Sequence, residues 1–94
     1  MKSKAKGSRN ERKTRRLLEE RGFTVVRAGA SLGPFDLVAF SRDGLVLAQI
    51  KTNRGPGRAE KEGLRAFHNL PHGARKEVWI FRDRCRDPQI EVIP

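Results

Sequence analysis

Residues 35–52 read Phe35-Asp36-Leu37-Val38-Ala39-Phe40-Ser41-Arg42-Asp43-Gly44-Leu45-Val46-Leu47-Ala48-Gln49-Ile50-Lys51-Thr52. Two runs rich in Val, Leu, Ile and Phe flank an Asp-Gly dipeptide, the strongest short-range hairpin signal. With Asp43 and Gly44 as the two loop residues, Phe40 faces Leu47, Val38 faces Gln49 and Asp36 faces Lys51. Period-two alternation then places Asp36, Val38, Phe40, Leu47, Gln49 and Lys51 on one face. An acid, an amide and an amine thus meet at one end of an otherwise apolar ribbon. Directly opposed residues lie roughly 5 Å apart at Cβ and the Asp36–Gln49 diagonal roughly 7–8 Å, a span that one metal ion can bridge. A four-residue loop preserves these faces, whereas a three-residue loop would set Asp36 against Ile50 and scatter the cluster. The simpler alternative is a cross-strand ion pair between Asp36 and Lys51 at the sheet margin. Three polar groups on one face of strands this apolar depart from plain core building, and such departures often mark functional sites.

The chain has 94 residues, enough for one domain with a single modest core. It has no apolar run of about 18 residues, which argues against a membrane-spanning helix, and no signal-peptide core. Cys85 is the one cysteine and has no partner within the chain, so the expected setting is a reducing cytoplasm. Lys and Arg number 21 against 11 Asp and Glu, a formal net charge of +10. An excess this large on a small domain points to a polyanionic partner, nucleic acid ahead of membrane, because no basic amphipathic anchor carries bulky apolar residues. The excess is concentrated early. Lys2, Lys4, Lys6, Arg9, Arg12, Lys13, Arg15, Arg16, Arg21 and Arg27 are opposed there by only Glu11, Glu19 and Glu20.

In chain order, residues 1–7 read as a flexible basic tail and residues 8–94 as one domain. Ser8 and Glu11 have capping-box spacing, so a helix is predicted from Ser8 to about Arg21, stopped by Gly22. Glu11 lies seven residues before Leu18, on the same inward stripe, where it can aim at the sheet edge that holds Asp36. The capping role and the inward role compete for this one carboxylate. A short strand over 23–28 and the loop Gly29-Ala30-Ser31-Leu32-Gly33-Pro34 precede the hairpin, and Gly-Pro sets the turn that brings in Asp36. A basic loop, Asn53-Arg54-Gly55-Pro56-Gly57, leads to a second helix over about Arg58–Leu70, with Ala59, Gly63, Leu64, Ala66, Phe67 and Leu70 inward. Residues 76–82 have large residues on both faces and read as a central strand. Residues 89–93 alternate cleanly and read as an edge strand. His68 and His72 are spaced as a two-histidine site, but Pro71 breaks the helix that would align them. The order α-β-β-β-α-β-β predicts an α/β fold with a mixed central sheet flanked by helices, the Lys51-to-Lys76 crossover making one parallel pair.

Four stretches carry a resemblance. Gly7-Ser8-Arg9-Asn10-Glu11, Arg21-Gly22-Phe23-Thr24-Val25-Val26-Arg27, Gly33-Pro34-Phe35-Asp36-Leu37-Val38-Ala39 and Gln49-Ile50-Lys51-Thr52 resemble the archaeal-type Holliday junction resolvases of the PD-(D/E)xK nuclease superfamily. The likeness spans roughly residues 7–54, with the motifs in the right order, and implies a restriction-endonuclease-like core. It implies that Glu11, Asp36, Gln49 and the Ile50 carbonyl hold Mg²⁺ or Mn²⁺, and that Lys51 orients or helps deprotonate the attacking water. It also implies a homodimer, with strand 89–93 or the second helix as the candidate interface. One departure stands out: Gln49 occupies a position usually held by Glu or Asp.

The resulting expectation is a metal-dependent endonuclease acting on branched DNA such as four-way junctions. Lys6, Arg9, Arg12, Lys13, Arg16, Arg27, Arg54 and Arg58 are the expected backbone contacts. The rivals are a binding-only module of the same fold, which Gln49 favours, and an unrelated basic RNA-associated protein, which needs no cluster of Asp36, Gln49 and Lys51.

Overall fold

The two strands that flank Asp43 pair two residues out of the expected register. The structure, a computed structural model, describes residues 2–29, 33–42 and 44–94, with side chains from Ser8 onward. In chain order it contains α1 (Lys2–Glu20), β1 (Thr24–Arg27), β2 (Leu37–Ser41), β3 (Gly44–Thr52), α2 (Arg58–Ala66), β4 (Arg75–Phe81) and β5 (Gln89–Ile93). Across the hairpin Leu37 lies opposite Ala48, Val38 opposite Leu47, Phe40 opposite Leu45 and Ser41 opposite Gly44. Gly44 therefore belongs to β3 and not to the connection; Asp43, the other expected loop residue, lies outside the described residues. The expected register would have drawn Arg42 into the ladder opposite Leu45, whereas the observed one leaves Arg42 exposed at the turn. An even slip keeps every side chain on its face. The ladder ends at Leu37–Ala48, one residue short of Asp36.

The sheet runs β1-β2-β3-β4-β5. β3 and β4 are parallel and the other neighbours antiparallel, so the sheet is mixed. Helix α1 covers one face, where Leu18 packs with Leu37, Ala39, Val46, Ala48 and Trp79. Helix α2 covers the other, where Leu64 packs with Phe35, Leu47, Val78, Ile80 and Ile93. Burial on both faces makes β4 a covered interior strand, as its bulky residues predicted, while β3 holds the middle of the sheet.

Both helices differ from expectation at their ends. α1 begins at Lys2 and not at Ser8, so residues 2–7 are helical backbone and no tail ends at the expected cap. Lysine and alanine, which dominate that segment, are good helix formers. Ser8 and Glu11 are thus interior, and the Glu11 carboxylate is not taken up by a capping box. Gly22 ends α1 as expected, with φ at +95°, while Phe23 N–H donates to the Leu18 carbonyl at 3.1 Å. α2 stops at Ala66, and Phe67 turns to extended backbone. Lys76 serves that end, its Nζ donating to the carbonyls of Leu64, Arg65 and Phe67 at 2.7, 3.2 and 3.1 Å. These are the groups that a helix C-terminus leaves without partners. Of the expected inward stripe, only Leu64 is buried within α2. Ala59, Gly63 and Ala66 face solvent, and Phe67 and Leu70 reach the core from beyond the helix.

Candidate active site

The hairpin ladder loses its register at Leu37–Ala48, and Asp36 sits at that point. Its N–H donates to the Ala48 carbonyl at 2.8 Å, and its own carbonyl accepts from Ala28 N–H at 2.9 Å. Beyond the last ladder pair, Ile50 N–H donates to Asp36 Oδ2 at 2.8 Å. In an extended strand the N–H and C=O of one residue point to the same edge, so the Ile50 carbonyl also faces the Asp36 side. Burial raises the Asp36 pKa above its ordinary value. The Ile50 N–H opposes this, the Glu11 charge adds to it, and Lys51 and Arg27 pull the other way, the net remaining upward.

Helix α1 delivers Glu11 to the same place. Asn10 is buried and donates to Thr52 Oγ1 at 2.9 Å, fastening the helix over the end of β3. The next residue, Glu11, accepts from Arg27 Nε at 3.3 Å. Glu11, Arg27, Phe35 and Asp36, with Gly29 and Gly33, line one cleft of about 450 Å³. Both glycines have positive φ, +66° and +58°, where a side chain would be strained.

Gln49 and Lys51 share a face of β3 but do not line that cleft. Gln49 is 6% exposed, and its Oε1 is buried with no hydrogen-bond partner among the described residues. Such an orphaned acceptor is uncommon and calls for a ligand or a cost. Lys51 acts on Asp36 through its charge, while its Nζ contacts Glu60 at 3.0 and 3.3 Å. Among the described residues no three His, Cys, Asp or Glu side chains form a metal cage. The oxygens on offer are two carboxylates, the Gln49 amide and the Ile50 carbonyl. These are hard donors that fit Mg²⁺ or Mn²⁺, with one negative charge fewer than an acid at 49 would give.

Arg9, Arg12 and Arg16 are exposed and, three or four residues apart, share one stripe of α1. Lys13 is more engaged: its Nζ donates to the Arg86 carbonyl at 2.7 Å and lies 5.9 Å from the Phe81 ring centre. The Lys6 side chain lies outside the described ones. Arg54 is exposed, and Arg58 is an exposed partner of Glu62 at 3.8 Å. Sequence reading missed Asn10, Arg15 and Glu60. Arg15 lines a second hollow, of about 260 Å³, with Ser8, Glu11, Arg12 and Arg27. Glu60 had a signal, the Gly57-x-x-Glu60 spacing of a helix start, which was read only at Ser8.

A family model described as archaeal Holliday junction resolvase (Hjc) matches residues 2–80. The fold superposes on the solved structure of Archaeoglobus fulgidus Hjc, a Holliday junction resolvase from an archaeal hyperthermophile, with a TM-score of 0.70. That alignment covers 95% of this chain and 72% of the other at 24% identity, a likeness of fold. No curated protein matches the sequence. No helix among the described residues is long and apolar enough to cross a membrane.

Proposed function

The chain belongs to the archaeal Holliday junction resolvase family, and from that membership we propose that it is a metal-dependent endonuclease hydrolysing DNA phosphodiesters at four-way junctions. The observation that carries the reading is the position of Asp36. Its carboxylate is hydrogen-bonded to the β3 backbone, shares a cleft with Glu11, and lies within the field of Lys51 and Arg27. Burial, with the Glu11 charge adding to it, makes Asp36 resist ionisation, and a cation is favoured at such a place.

Glu11, Asp36, the Gln49 Oε1 and the Ile50 carbonyl would hold Mg²⁺ or Mn²⁺. When bound there, such an ion would supply an acidified water and offset charge on the scissile phosphate. Lys51 directs its ammonium at the same phosphate and stabilises the negative charge that develops there. Asp36, fixed by the Ile50 N–H, orients the water for in-line attack. Arg27 holds Glu11 in place and meets the flanking phosphate. Arg9, Arg12, Arg16 and Arg54 track the backbone, so recognition is by shape and charge more than by base edges. Cutting two strands needs two such sites and therefore a second copy of the chain. β5, which exposes Ile90 and Val92, and the solvent face of α2 are the candidate contacts.

Gln49 favours one second reading, a binding-only module that has lost an acid. Cleavage of a synthetic four-way junction, compared with linear, nicked and flapped duplexes in Mg²⁺ and Mn²⁺, separates the two. The nuclease reading expects junction cutting that Asp36→Ala and Lys51→Ala abolish. Tight junction binding with no cutting in either metal would establish the module instead.

A further inference from the structure

We propose that Glu60 is a positioning residue for Lys51, fixing its ammonium on the sheet face next to the Asp36 site. The inference rests on the nuclease reading. Glu60 lies in the first turn of α2, where Oε1 accepts the Gly57 N–H at 3.2 Å. The same carboxylate grips Lys51 Nζ at 3.0 Å through Oε2 and at 3.3 Å through Oε1. One side chain therefore caps its helix and fixes the end of a long, flexible lysine.

The need for such a partner follows from β3 itself. Gln49, the same-face neighbour two residues before Lys51, is neutral, so the counter-charge in contact with Lys51 comes from α2. The helix can provide it because both its core contact and its end are pinned. Leu64 is wholly buried in the sheet-facing cluster, and Lys76 takes the carbonyls of the last turn. Placement thus runs from β4 through α2 to Glu60 and on to Lys51. The pair is still open to solvent, with the Lys51 side chain 26% and that of Glu60 46% exposed. An ammonium has three donors, and two directed at Glu60 leave one for a phosphate oxygen.

The test uses Glu60→Gln, which keeps an acceptor for the Gly57 N–H and removes the charge. Expected are a loss in kcat on the order of tenfold from a misdirected Lys51, an unchanged KM for junction DNA, and a nearly unchanged Tm. A second readout does not depend on cleavage. After reductive ¹³C-methylation, the Lys51 resonance, assigned by its loss in Lys51→Ala, should move in Glu60→Gln to the position and width of the exposed lysines. An unmoved resonance, or a kcat unchanged from that of an active wild type, would each overturn the inference alone. A wild type that cuts no branched DNA overturns the nuclease reading and this inference with it.

Discussion

The Asp36 carboxylate accepts the Ile50 amide proton at 2.8 Å and so completes with a side chain a ladder that the β2 backbone leaves unfinished. The bond fixes the direction of the carboxylate, yet does not make its charge comfortable, because burial and Glu11 together still raise the pKa. A group held ionised against its environment stores a penalty in the folded chain. That penalty can be read without any metal or DNA.

Asp36→Asn keeps an oxygen for the Ile50 N–H and removes the charge. A raised folded pKa means that the native chain holds this proton more tightly than the unfolded one. The penalty is therefore present at neutral pH and fades as pH falls through the folded pKa towards the ordinary value of 3.8. Asp36→Asn should melt above wild type at pH 7, with the gap closing in acid, while junction cleavage falls by on the order of 100-fold or more. Melting curves from pH 7 to pH 4 check it, and a gap that widens in acid would contradict it.

Gln49 is a second place where stability and activity should part. Its buried Oε1 has no partner among the described residues, so Gln49→Leu removes an unsatisfied acceptor and should gain about 1 kcal/mol, or roughly 4–8 °C in Tm. The same change removes an oxygen from the proposed cation site and should weaken Mg²⁺ binding. Gln49→Glu should do the reverse, tightening Mg²⁺ binding while lowering the Tm of the metal-free chain, because it buries a third acid near Asp36. Calorimetric titration of the three proteins decides. Equal Mg²⁺ affinities would remove residue 49 from the ligand set.

The contrast between these two positions shows what the sequence made legible. Alternation in the hairpin put Asp36, Gln49 and Lys51 on one face. The slip of two leaves Gln49 and Lys51 on their shared face, because faces depend only on whether a slip is odd or even, but the ladder ends before Asp36, which lines the Glu11 cleft instead. The register itself turned on whether Arg42 or Gly44 leaves the ladder, a difference that one Asp-Gly signal does not resolve. Glu11 had two competing roles by its spacing. Helical residues upstream of Ser8 removed the capping role and left it facing Arg27. Lys76 was not legible, and the Gly57-x-x-Glu60 spacing signals only a helix start, because the contacts of both side chains cross the β3–α2–β4 connection, which no local spacing records.

Lys76 gives the third expectation. It is 7% exposed, and its Nζ is spent on three carbonyls at the end of α2. Lys76→Met fills similar space and leaves those acceptors without a donor, a cost of about 1–3 kcal/mol. Denaturant unfolding should show that loss with an unchanged m-value. Junction cleavage should fall as well, because the helix that carries Glu60 is no longer held at its end. A stability loss with full activity would detach α2 from the site.

The arginine stripe of α1 makes the last expectation quantitative. Arg9, Arg12 and Arg16 are exposed on one side of the helix. Each duplex phosphate that an arginine ceases to neutralise should lower the salt slope of log K by about 0.9. The triple alanine variant should therefore bind junction DNA more weakly at low salt and lose the difference as salt rises. Lys13→Ala belongs to a different class, because its ammonium already serves the Arg86 carbonyl. It should lower the Tm more than it lowers the salt slope. Binding isotherms from about 50 to 300 mM salt separate the two, and equal slopes for the triple variant and wild type would place the DNA on another face.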